Sequence, residues 1–278
     1  MHATNRRYIK MITQISEILS KASLNGTDRN IQPTLLYNEG WLLRLILLWL
    51  SDKNIDNFQL NFLENSRWHS EALLPTPFLA TKRGDILAES HTHCDGVIGN
   101  FEIGGSGKSD LNLLKNCKQF IITEAKIYSK LSAGTKNASG YNQAARTLAC
   151  MSFIILKSGT NLNEIESLGF FVLLPKNKIK EDSNFKKYTE KDNVLETVEN
   201  RVKIYKDMDR DDYADKKKWF DNHFKPFLEK VQIEILSWES IIEIIKNNDS
   251  KYGKSIEYFY NKCLAFNKNK NASNSKSY

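Results

Sequence analysis

Apolar residues at helical spacing open the chain. Ile9, Ile12, Ile15, Ile18 and Leu19 predict an amphipathic helix over residues 6–23, stopped by Asn25-Gly26. A second helix is predicted from near Thr34, after Pro33, through residue 51, with Glu39 in its first half. Residues 53–80 are mixed, and Pro75 and Pro77 break any regular element there. Strand signals follow: a short one at 85–89, a longer one at 92–103, and the clearest at 120–128, rich in β-branched and aromatic residues. The segment GGSGKSD reads as a flexible turn and 129–139 as a polar loop. A helix is expected over 140–157, and the continuous apolar run 168–174 suits a buried central strand.

Beyond Pro175 the pattern changes. Residues 176–192 are mostly polar and read as a mobile loop. Residues 194–230 read as charged helix, with Trp219, Phe220, Phe224 and Phe227 on an apolar face. A strand at 231–236 leads to a helix for which Ser237 is a plausible N-cap, and one more helix covers 251–266. The tail, 267–278, has nothing to bury and reads as disordered. The predicted class is α/β: a central mixed sheet with additional helices at both ends. It forms a single domain over 1–266, with a core at about 33–175 and helical additions at 1–32 and 176–266.

Composition narrows the classes. The 278 residues are 41% hydrophobic and 26% charged, ordinary for a soluble protein with a full core. The net charge of +7 fits a polyanionic partner without requiring one. Four scattered cysteines without a CxxC pair argue against a disulfide framework or a structural zinc site. No apolar signal segment follows the first charges, and the most apolar run, 41–50, is too short to span a bilayer and contains Arg44. The expectation is a cytoplasmic protein with reduced thiols and no membrane partner.

Candidate chemistry concentrates in two stretches. HTHCDGVIGNF carries Asp95, and QFIITEAKIY carries Glu124 and Lys126. In a strand Glu124 and Lys126 share a face. Two carboxylates can hold a hard divalent cation, and an adjacent lysine can orient a water or stabilise charge on a phosphate. Charges at the end of an interior strand are costly without a partner or a task. The alternatives are a turn aspartate before Gly96, a solvated Glu124–Lys126 pair on an edge strand, and a Glu39 that merely favours its helix start. Asp110 is a second candidate for the aspartate. GGSGKS lacks a phosphate-binding loop's first glycine, because Glu102 stands there, and His91, His93 and Cys94 lack further zinc ligands. Gln143 and Arg146 share a helix face, where Arg146 could meet a phosphate. Lys130 and Lys136, in the preceding loop, could track a nucleic-acid backbone.

The helix with Glu39, the strand with Asp95, the TEAK strand with Glu124 and Lys126, and the helix with Gln143 resemble the PD-(D/E)XK nuclease superfamily over about residues 33–175. Cys94 stands where the pattern has proline. The resemblance implies a restriction-endonuclease-like core of helix, three strands, helix and strand. It implies Mg²⁺ or Mn²⁺ held by Asp95, Glu124 and the Ala125 carbonyl, with Glu39 supporting. Lys126 would position a water or stabilise the transition state, and Gln143 would hold the water or Lys126. The implied activity is deoxyribonuclease, as an endonuclease in restriction or anti-phage defence, alone, as a homodimer or within a complex. The alternative is a catalytically silent subunit that binds nucleic acid or a partner ATPase.

Overall fold

The computed structural model describes residues 13–23, 30–53, 55, 57–104 and 110–268. Residues 13–20 of the first expected helix are helical, and Lys21–Ser23 forms a 3₁₀ turn. Residues 6–12, the Asn25-Gly26 stop, most of the GGSGKSD segment and the tail from 269 lie outside the described residues.

The ordered elements, in chain order, are α1 (Glu39–Ser51), β1 (Arg67–Leu74), β2 (Thr92–Gly99), β3 (Phe101–Ile103), β4 (Leu111–Leu113), β5 (Gln119–Ala125), α2 (Gln143–Ser158), β6 (Ser167–Leu174), α3 (Lys176–Glu181), α4 (Ser183–Thr189), α5 (Lys191–Asp207), α6 (Tyr213–Trp219), α7 (Lys225–Lys230), β7 (Gln232–Ser237), α8 (Trp238–Asn248) and α9 (Ser250–Asn267). One mixed five-stranded sheet runs in the order β1-β2-β5-β6-β7. The β1–β2 and β2–β5 pairs are antiparallel, and β5–β6 and β6–β7 are parallel. A parallel pair needs a long crossover, and α2 supplies it between β5 and β6. Every β5 residue is buried, as is all of β6 except half-buried Ser167, because helices cover both faces of the sheet.

Two apolar layers flank the sheet. One packs it against α2, α5 and the aromatic residues Phe220, Phe224 and Phe227. The other packs it against α1, α8 and α9. The β1–β2 ribbon exchanges faces part-way. Ala72, Leu74 and Cys94 belong to the α2 layer, whereas Trp68 and Ile98 belong to the α1 layer, and Gly96 lies against Leu43 and Leu47 of α1. Simple alternation would keep residues of equal parity on one side. The reversal coincides with Glu71, which holds φ +59° inside β1, between the Ser70–Gly96 and Ala72–Cys94 pairs.

Several boundaries differ from expectation. The second helix begins at Glu39 rather than near Thr34, because extended Asn38 caps it, accepting from the Trp41 amide at 3.0 Å. β1 fills a stretch expected to be irregular. Residues 85–89 are not a strand. Asp85 instead closes a turn onto the Leu87 amide (3.1 Å) and holds Arg210 at 2.7 and 2.9 Å. The long strand expected over 92–103 bends at Asn100, and its second half pairs with β4 in a separate ribbon. Residues 176–192 form α3, α4 and the start of α5, not a loop, and Phe185 anchors α4 in the core. Asn267 is not tail: it closes α9 and donates to the Tyr37 carbonyl at 2.7 Å. Ser237 caps α8 as expected, accepting from the Ser240 amide. Among the described residues no helix is long and apolar enough to cross a membrane.

Candidate active site

The β2–β5 ladder ends at the Gly96–Thr123 pair. Beyond it the Ala125 amide bonds to a side chain: Asp95 Oδ2 accepts from it at 2.7 Å. Glu124, one residue back, is on the α2 side of the sheet with Phe120 and Ile122 and is 1% exposed. The Lys126 ammonium donates to Glu124 Oε1 and lies 3.7 Å from Asp95 Oδ2. Gln143, the first residue of α2, donates from Nε2 to the same Glu124 oxygen. Asp95, Glu124, Lys126 and Gln143 therefore meet at one point, at the carboxyl end of β5.

The surroundings hold this cluster in place. Gln143 is clamped to the loop before it: its amide donates to the Ser132 carbonyl (2.8 Å) and its Oε1 accepts from the Ser132 amide (3.2 Å). The Lys126 amide donates to the Leu173 carbonyl at 2.9 Å. The Lys126 carbonyl accepts from the Trp238 indole, also at 2.9 Å. Neither Ser132 nor Trp238 was legible as a site residue. Trp238 lies 112 residues from Lys126 in the chain, and no local pattern links them.

Charge is strongly coupled here. Burial, followed by the charge of Asp95, raises the Glu124 carboxyl to about 8 against the opposing pull of Lys126. Both carboxyls lie beside the same Lys126 ammonium. Glu124 Oε2 is shut away from solvent and accepts no hydrogen bond. Burial works against the Lys126 ammonium, but Glu124 and Asp95 outweigh it and lift its pKa above the ordinary lysine value. An unpartnered buried carboxylate oxygen in the field of a second carboxylate calls for a proton or a cation. A pair of hard oxygen donors suits Mg²⁺ or Mn²⁺.

The remaining candidates are distributed around this point. Glu39 is half-buried at the start of α1 and lines a cavity of ~540 Å³ with Asp95, Glu71 and Arg44. Its charge reaches Lys126. Among the described residues, however, no three His, Cys, Asp or Glu side chains form a group that could hold a metal ion, so Glu39 does not join Asp95 and Glu124 in one such set. Ala125 enters the site through its amide. Arg146 and Lys136 line a second cavity of ~430 Å³ with Gln143, His91 and His93. Lys130 is elsewhere, exposed and 3.3 Å from Asp182. Asp110 stands before β4, bridging to Leu73, so Asp95 is the aspartate that meets Glu124.

No protein-family model, curated protein or solved structure matches this chain.

Proposed function

We propose that the chain is a metal-dependent nuclease that hydrolyses phosphodiester bonds in DNA, with a core resembling the PD-(D/E)XK superfamily. The observation that carries the reading is the buried Glu124 carboxyl, bonded to Lys126 and Gln143 and set against an Asp95 anchored on the Ala125 amide. The order α1, β1, β2, β5, α2, β6 supports it, since it repeats the helix, three strands, helix and strand of that core.

Asp95 and Glu124 would hold the divalent ion, with the Ala125 carbonyl as a further oxygen donor. Glu39 would support them from across its cavity. When bound, the ion supplies Lewis-acid charge at the scissile phosphate and lowers the pKa of a bound water. Lys126 stays protonated between its two carboxylates, so it offers a hydrogen-bond donor to the attacking water or to the developing phosphorane charge. Gln143 fixes the Glu124 rotamer, and its hold on Ser132 keeps that orientation. Trp238 sets the height of the Lys126 backbone.

The test is cleavage of plasmid and linear DNA with Mg²⁺ or Mn²⁺ by the native chain, Glu124→Ala and Lys126→Ala. We expect metal-dependent cutting by the native chain and at least a hundredfold loss in each variant, the usual size of one transition-state group. Equal cutting by all three would overturn the assignment of the site. No cutting by the native chain would overturn the activity.

A further inference from the structure

The cavity beside Gln143 is built like an anion site, with two cations, Lys136 and Arg146, in its wall against one carboxylate, Glu89. His91 lies just before β2 and His93 within it, Lys136 in the 129–139 loop and Arg146 in α2, and all four line the same space. The one carboxylate in its wall, Glu89, is buried and turned inward, 3.2 Å from Arg201 Nε and 3.3 Å from the Thr76 hydroxyl. Arg146 is half-buried, and its side-chain Nε is shielded from solvent and has no hydrogen-bond partner among the described residues. An Nε–H stripped of water without an acceptor is unfavourable, and the planar guanidinium fork matches phosphate oxygens. The segment that leads into Ala88 and Glu89 of the lining is braced. Arg201 and the Tyr205 hydroxyl both donate to the Leu87 carbonyl, and Arg210 locks Asp85. The cavity of ~430 Å³ has room for a nucleotide.

We propose that this cavity is a phosphate-binding pocket, with Arg146 as its principal ligand, for the strand cut at Glu124. The proposal rests on the nuclease reading and deepens it. Gln143 both lines the pocket and bonds to Glu124, so a phosphate held by Arg146 sits one side chain from the carboxylate pair. The phosphate comes either from a strand terminus, as a monoester, or from within the strand, as a diester next to the cut. His91, His93 and Lys136 supply the remaining donors in either case.

The experiment measures anisotropy of a labelled single-stranded hexathymidylate with the full chain in EDTA, so that no cutting occurs. Two probes are compared, one with a 5′-phosphate and one with a 5′-hydroxyl, each in the presence and absence of inorganic phosphate. Arg146→Met keeps the stem and removes the fork, and exposed Lys136→Met serves as a second variant should the first fail to fold. We expect Arg146→Met, or Lys136→Met should Arg146→Met fail to fold, to weaken binding about tenfold and lower the salt dependence by about one charge. Phosphate should compete on the native chain and lose its effect on that variant. Tighter native binding of the phosphorylated probe assigns the pocket to a strand end, and equal binding of both probes assigns it to an internal diester. Unchanged affinity in both variants, with no competition by phosphate, would overturn the pocket. Plasmid cutting separates the two readings: cutting without these binding effects removes the pocket and leaves the nuclease, and the reverse result removes the nuclease and leaves an anion site.

Discussion

Replacing Arg201 with methionine should destabilise the protein by an amount that grows with pH. Arg201 is 1% exposed and joins α5 to the loop before β2. It holds Glu89 at 3.2 Å, donates to the Leu87 carbonyl and lies over Phe78 (5.0 Å) and Tyr205 (5.5 Å). Two of these losses are insensitive to pH. The Leu87 carbonyl keeps the Tyr205 hydroxyl at 3.2 Å, so its loss is ~1 kcal/mol, and the ring contacts, partly replaced by the thioether, add ~1 kcal/mol. The third loss is the charge left on Glu89. Burial already raises this carboxyl above its ordinary value near 4.5, against the pull of Arg201 and then Arg146, so deleting Arg201 raises it further. A carboxyl raised in the folded state gives stability that is complete below the unfolded value and is lost as pH climbs through the folded one. Between the native and the variant pKa of Glu89 the penalty therefore rises by ~1.4 kcal/mol per pH unit. The total should run from ~2 kcal/mol at pH 5 toward the ~3–5 kcal/mol of a broken buried pair at pH 8. Urea denaturation of both proteins at each pH measures it, and Arg201→Met/Glu89→Gln should lose the pH dependence. A difference that is the same at pH 5 and pH 8 would refute the reasoning.

Other expectations follow from the site and the sheet. Glu124 must give up its proton to take a cation, so the apparent affinity for Mn²⁺ should rise up to tenfold per pH unit on approach to pH 8 and flatten above it, as titration calorimetry would show; a flat profile would mean the ion binds elsewhere. Glu71→Gly should raise stability by ~0.5–1 kcal/mol in thermal melts, since glycine tolerates φ +59° and the surrendered Arg44 contact is a solvated pair at 3.4 Å. Gly99→Ala should cost ~2 kcal/mol or more by the same measurement, because its backbone is at φ +149° and an added Cβ would fall 1.9 Å from the Gln119 carbonyl.

The four residues that meet at the end of β5 were legible because buried charge is anomalous. A glutamate and a lysine closing an apolar run stand out in any chain, and the helix with Gln143 follows directly. β1 was not legible. Its sequence, RWHSEALL, mixes charged and small residues because it is an edge strand whose inward face changes at Glu71, which cancels the alternation that betrays strands. Residues 176–192 were read as a loop because α4 has one buried residue, Phe185, too few to mark a period. The Arg201–Glu89 pair escaped notice for a different reason: an arginine in a highly charged helix looks like solvated surface, and only tertiary packing makes it core. The same limit hid Trp238, and it hid that Arg146 and Lys136, both read as phosphate contacts, share one cavity with His91 and His93.

The bond from the Ala125 amide to Asp95 gives this protein a built-in spectroscopic probe. Most strand amides point at a neighbouring carbonyl, whose charge does not change. This one points at a carboxylate, at 2.7 Å, inside the cluster where a lysine and a proton compete and where the proposed metal ion would join them. Its nitrogen and proton chemical shifts will therefore follow occupancy at Asp95, with no label introduced into the cluster. A metal titration watched through that single peak would report binding at Asp95 even in a variant too slow to cut.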